Sequence, residues 1–150
     1  MTLIEPHQLR WIEENLIDHD IPFVVIGGVA VKFYHTARNT ADVDLFVGSD
    51  PTTVTRLVEA IPKLSADPNA KVKLLDRRVA HFKVGEPHKI DILTFAPGLE
   101  IGEAVDTAET LQMGGATIPI LSRPLLIAHK LAVNEPKDHE DVKLLQKAGG

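Results

Sequence analysis

The sequence predicts an α/β protein of the α+β kind, with a mixed, mostly antiparallel sheet of about five or six strands and flanking helices. Three observations carry this. The unbroken apolar run Phe23–Ile26 stops at Gly27-Gly28, as a buried strand does when it turns into a helix. A second run, Asp42–Val47, follows after one short helical segment. Beyond residue 78, strand-like runs come in pairs joined by turn residues, so the chain lacks the steady strand–helix alternation of a doubly wound fold.

Taken in order, Pro6 to about His19 has helical spacing at Leu9, Ile12 and Leu16, with Pro6 suited to a first turn. Asp20-Ile-Pro22 ends it, and Phe23–Ile26 is the central strand. Val29 to about His35 is a second helix, Ala37–Thr40 a polar connection, and Asp42–Val47 a strand. Gly48-Ser-Asp-Pro51 turns into a helix over Thr52–Ile61, whose Val54, Leu57, Val58 and Ile61 share one face. Pro62–Val72 groups Ser, Asp, Pro and Asn and reads as a loop. Arg78–Val84 and Ile90–Phe95 pair across the Gly85-Glu-Pro87 turn. Glu109–Met113 and Ala116–Leu121 pair across Gly114-Gly115. Ser122 caps a helix to about Val133, Asn134-Glu-Pro136 interrupts, and a last helix runs over Pro136–Lys147 before Gly149-Gly150.

The 150 residues suit a single domain spanning 1–150, large enough to bury a core without a staple. With no cysteine, thiolate metal sites and disulfides are excluded. The N-terminus has neither the basic segment nor the apolar core of a signal peptide, and no run approaches the roughly 20 residues of a membrane span. A cytoplasmic location without membrane partners is the expectation. The net charge of −5 argues against a wholly basic nucleic-acid surface and leaves room for a local basic patch.

The chemistry lies in three aspartates. On a strand, residues two apart face the same side, so Asp42 and Asp44 present their carboxylates together while Val43 and Leu45 enter the core. At about 4 Å and an effective dielectric near 20, such a pair repels by roughly 4 kcal/mol. A divalent cation removes that penalty, and oxygen-only ligands favour Mg²⁺ or Mn²⁺. Asp91, between Ile90 and Ile92, has the same setting and converges with the pair if the strands are neighbours. A solvated edge strand is the alternative for Asp-Val-Asp. Gly27 and Gly28 would let backbone N–H groups approach a phosphate at a helix N-terminus; a tight turn with close packing is their alternative. Neither G-x-G-x-x-G nor Gly-Lys-Ser/Thr is present. The histidines form no ligand-like pair; His35, His81, His88 and His129 read as surface or strand residues.

A strand ending in Gly27-Gly28, then Asp42-x-Asp44, then Asp91 on a later strand resembles the signature of the DNA polymerase β-like nucleotidyltransferase superfamily. Thirteen residues separate Gly28 from Asp42. Arg38-Asn-Thr40-Ala-Asp-Val-Asp44 is similar to the matching run of the small bacterial abortive-infection nucleotidyltransferases of type IV toxin–antitoxin systems. The helix around Lys130, and Lys137-Asp138 with Asp141, also resemble theirs. The resemblance implies a minimal nucleotidyltransferase fold that moves a nucleoside monophosphate from a nucleoside triphosphate to a hydroxyl or phosphate acceptor (RNA, protein or small molecule). Asp42, Asp44 and Asp91 would be the catalytic and metal-binding residues, with Mg²⁺ or Mn²⁺. Gly27, Gly28, Arg38 and Lys130 would contact the nucleotide, although Lys130 alone could be a solvated helical lysine and Arg38 a loop arginine. A cognate antitoxin or a homodimer are the partners implied. Two further readings stay open: a catalytically silent binding or antitoxin module, and a drug adenylyltransferase.

Overall fold

A computed structural model describes residues 2–38, 40, 42–85 and 87–148. Its element order is α1 (Pro6–Asn15), β1 (Val24–Ile26), α2 (Gly27–Tyr34), β2 (Val43–Phe46), α3 (Pro51–Ala60), α4 (Pro62–Ser65) and α5 (Ala70–Leu75). There follow β3 (His81–Val84), β4 (Ile90–Leu93), α6 (Ile101–Asp106), β5 (Glu109–Met113), β6 (Ala116–Ile120), α7 (Arg123–Val133) and α8 (Pro136–Ala148). One six-stranded sheet has the order β3-β4-β2-β1-β6-β5. The pairs β1–β2, β3–β4 and β5–β6 are antiparallel, and β2–β4 and β1–β6 are parallel. The sheet is therefore mixed and mostly antiparallel, as the sequence predicts.

Each local choice has a visible cause. Val24, Val25 and Ile26 are buried on both sides, which is why the run shows no polar alternation. Gly114 and Gly115 both have positive φ (54° and 84°), the twist a two-residue hairpin turn requires. Asp50 caps α3 by accepting from Thr53 N at 3.1 Å, and Ser122 caps α7 by accepting from Leu125 N at 3.4 Å. Asn134 takes the left-handed conformation (φ 59°) that ends α7. The core fills both faces of the central strands with Val25, Leu45, Ile92, Leu57, Ile118 and Leu145, all essentially inaccessible.

The structure corrects the sequence reading in four places. The first helix ends at Asn15, and a 3-10 turn over Ile17–His19 follows. The second helix begins at Gly27, not Val29. The 62–72 segment is not a loop: α4 and the start of α5 lie in it, and Leu64, Ala70 and Leu74 anchor them in the core. Helix α6, with Glu100 accepting from Gly102 N and Glu103 N, had no expectation at all. The Gly149-Gly150 ending lies outside the described residues. Among the described residues no helix is long and apolar enough to cross a membrane.

One long-range contact fixes the edge of the sheet. Gln8 is 2% exposed, and its amide donates to His88 O at 2.8 Å and, at the limit of hydrogen-bond length, to Lys89 O at 3.5 Å. Lys89 O also accepts from Val43 N at 3.0 Å. The β3–β4 turn is thus held from both α1 and β2, which keeps Lys89 in a left-handed conformation (φ 54°) that a side chain seldom adopts. Gln8→Ala should lower stability by about 1 kcal/mol, because it removes the buried amide that donates to His88 O and ties α1 to this turn. Urea denaturation tests this; no loss would mean the turn is held without Gln8.

Candidate active site

Sheet register brings the acidic residues together. Ile26 is opposite Asp44, Asp44 is opposite Asp91, and Asp91 is opposite Lys83, so one row crosses β1, β2, β4 and β3. Val43 and Leu45 are fully buried and Asp44 is half-buried, so the alternation expected for β2 is present. Asp44 and Asp91 hydrogen-bond through their side chains, and the negative charges of Asp91 and Asp42 act on Asp44. Asp42, just ahead of β2, is exposed.

This crowding changes Asp44. Burial first, then the hydrogen bond that protonated Asp44 donates to Asp91 and the charges of Asp91 and Asp42, push its carboxyl up to about 6; Lys130 pulls the other way. Below about pH 6 it is therefore Asp44 that carries a proton where the two carboxyl groups meet. A divalent cation can take the place of that proton, and the oxygen-only donors suit Mg²⁺ or Mn²⁺. Asp44 and Asp91 meet while Asp42 acts on Asp44 through its charge, and among the described residues no group of three His, Cys, Asp or Glu lies close enough together to hold a metal ion. Asp91 Oδ1 is instead 3.3 Å from His81 Nε2 and 3.4 Å from Lys83 Nζ.

The glycine pair is pressed against this cluster. Gly27 has φ 67°, and a Cβ there would overlap Asp44 Oδ2 and come within 2.9 Å of its Cγ. Only glycine satisfies both conditions. A Cβ at Gly28 would come within 2.8 Å of Thr40 Cβ. Thr40 Oγ1 donates to Asp42 O at 3.3 Å, so this threonine braces the strand entry. The start of α2 therefore faces Asp44 directly.

Lys130 is not a solvated helical lysine. It is 6% exposed on α7, with Nζ 3.4 Å from Asp138 Oδ1 and 3.0 Å from Asp141 Oδ2, both on α8. Asp138 and Asp141 are each 3% exposed. Arg38 Nε donates to Asp141 Oδ1 at 2.9 Å, so Arg38 and Lys130 grip one carboxylate from two sides. The Lys130 contact to Asp141 Oδ2 is an ion pair whose angles do not make a hydrogen bond. His129, next along α7, is also buried rather than on a surface or strand, with Nδ1 2.7 Å from Pro97 O. Burial holds its pKa below the ordinary value.

A cavity of about 360 Å³ opens beside the cluster, lined by Asp42, Asp91, Lys83, Gly85 and Lys89 among others. Sequence reasoning missed Lys83, Lys89 and His81 as neighbours of Asp91. Only strand register could have found them, since nothing in their local sequence marks a site.

The family described as "Nucleotidyl transferase of unknown function (DUF2204)" matches residues 5–149, and the chain belongs to it. Among solved structures, the chain is similar to an antigenic nucleotidyltransferase-like protein from Paracoccidioides brasiliensis, at a TM-score of 0.53 and 16% identity. That match covers 95% of this chain and 77% of the other, and it shows a shared fold. No curated protein matches the sequence.

Two outcomes follow from the site. A carboxyl with a folded pKa near 6 against an unfolded value near 4 stabilises the fold below about pH 4 and loses that contribution as pH rises through 6. Metal-free Asp44→Asn should therefore be more stable than the parent at pH 7, by on the order of 1–2 kcal/mol, and should lose the parent's stability change between pH 4 and 6. Chemical denaturation across that range reads both. Among the described residues, Lys130→Met leaves buried Asp138 with only the Glu135 N–H and Asp141 with only Arg38, and should cost about 3 kcal/mol. Thermal unfolding within about 1 °C of the parent would show that the pairing does not support the fold.

Proposed function

We propose that the protein is a metal-dependent nucleotidyltransferase, carrying a nucleoside monophosphate from a nucleoside triphosphate to an acceptor hydroxyl or phosphate. The observation that carries this reading is the in-register meeting of Asp44 and Asp91, with Asp42 beside them and the Gly27 backbone against Asp44. In this reading Asp42, Asp44 and Asp91 hold Mg²⁺ or Mn²⁺. When bound, the ions neutralise triphosphate oxygens, lower the pKa of the attacking hydroxyl and stabilise the in-line transition state. Asp91 accepts the acceptor proton. Backbone N–H groups at Gly27 and Gly28 face the phosphates at the positive end of α2. The acceptor oxygen forms a bond to the α-phosphorus as the bond to pyrophosphate breaks.

The basic residues take a different part from the one the resemblance implies by itself. Lys130 is tied down by Asp138 and Asp141, so it acts as a fixed charge that favours the ionised form of Asp44. Arg38 locks that arrangement through Asp141. A toxin–antitoxin role, with a cognate antitoxin and a cytoplasmic setting, belongs to this reading and rests on the resemblance around Arg38 and Lys130.

Triphosphate with Mg²⁺ should raise the melting temperature by several degrees, as mass action requires for a ligand well above its Kd. Asp42→Asn, Asp44→Asn and Asp91→Asn should each abolish the rise. No rise in the parent at saturating ligand would overturn the reading. Labelled triphosphate with total RNA, protein and metabolites then identifies the acceptor by the fraction that takes up label.

A further inference from the structure

The positive charge of this acidic chain is not spread evenly. Residues 70–89 hold six of its 16 Lys and Arg, at 71, 73, 77, 78, 83 and 89, against Asp76 and Glu86, a local net of +4 where the whole chain is −5. The fold lays this segment out as α5, its exit loop, the edge strand β3 and the β3–β4 turn. Lys71, Arg77, Arg78, Lys83 and Lys89 are exposed. Lys83 and Lys89 line the cavity beside Asp42 and Asp91, so the band ends at the candidate active site. From Arg78 to Lys83 an extended chain covers about 17 Å.

Apolar surface accompanies the charge. Among the described residues five large hydrophobic side chains are exposed, and Val72 (51%), Leu75 (38%) and Phe95 (41%) belong to this face. The Arg77 guanidinium lies 4.8 Å over the Phe95 ring. An exposed ring and a guanidinium plane are surfaces on which an unpaired base stacks. Protection of an exposed strand edge calls for charge on the strand, which Lys83 supplies. It does not call for cations on α5, on its exit loop and in the Asp91 cleft.

We propose that this band is the track of a single nucleic-acid strand whose end enters the Asp42–Asp91 cleft as the acceptor. Arg78 ahead of β3 and Lys83 on it meet the phosphates, Phe95 with Arg77 takes a base, and the Gln8-held turn presents Lys89 to the terminal nucleotide. The acceptor assignment rests on the nucleotidyl-transfer reading, whereas the binding surface is tested without turnover.

The probe is a short labelled oligonucleotide, as RNA and as DNA of the same sequence, followed by fluorescence anisotropy in the absence of triphosphate. Binding of at least one should weaken steeply between about 50 and 200 mM salt, with a log–log slope near −3 for about four phosphate contacts. Arg77→Glu/Arg78→Glu should weaken it about tenfold or more and flatten the slope. Lys143→Glu/Lys147→Glu, the same charge change on α8, should leave it unchanged. If the reversal disturbs folding, Arg77→Gln/Arg78→Gln repeats the test, and the parent's salt slope stands without any variant. Binding of neither strand, equal loss in the α8 variant, or capture by phosphatidylserine vesicles in place of either strand would overturn the proposal. Strand binding without stabilisation by Mg²⁺ and triphosphate would uphold the surface and remove only the transfer reading.

Discussion

The parallel pairing of β2 with β4 is the constraint on which the site depends. It sets Asp44 beside Asp91, and a slip of one residue would turn one of them into the core. The register is secured from several directions. Val43, Leu45, Ile90 and Ile92 are all buried, so any slip would expose apolar side chains. Val43 N is bonded to Lys89 O, and Gln8 holds the same turn from α1. The hydrophobic core thereby fixes the position of charges that would otherwise repel.

Around that pair, three elements respond to one local problem, the concentration of negative charge on a half-buried strand. The α2 N-terminus presents backbone donors, made possible by two glycines that leave room for Asp44 and Thr40. From β3, His81 and Lys83 reach Asp91 Oδ1. From α7, Lys130 contributes a positive charge anchored in a buried set with Asp138, Asp141 and Arg38. Even so, burial and the neighbouring carboxylates outweigh Lys130, and Asp44 holds its proton to about pH 6.

Much of this was legible in the sequence because the signals are local. A β-branched run into two glycines, aspartates two apart between apolar residues, and turn-linked pairs of strands each leave a short pattern. What escaped has a physical reason too. Helices α4, α5 and α6 have four, six and six residues, less than two full turns, so no apolar period can declare itself. The burial of Lys130 is decided by Asp138 and Asp141 on another helix, and its own neighbours in sequence look like those of any helical lysine. Lys83 and Lys89 acquire meaning only through the β3–β4 register and a turn held by a residue some 80 positions away.

The central claim is that the carboxylates at 42, 44 and 91 act as one ion-holding cluster in front of the Gly27 bend. Paramagnetic broadening by Mn²⁺ tests it most directly. In an amide-resolved NMR titration at substoichiometric Mn²⁺, signals of Gly27, Gly28, Asp42, Asp44 and Asp91 should broaden first, and Asp44→Asn should abolish the effect. Broadening centred elsewhere, or unchanged in Asp44→Asn, would contradict the account.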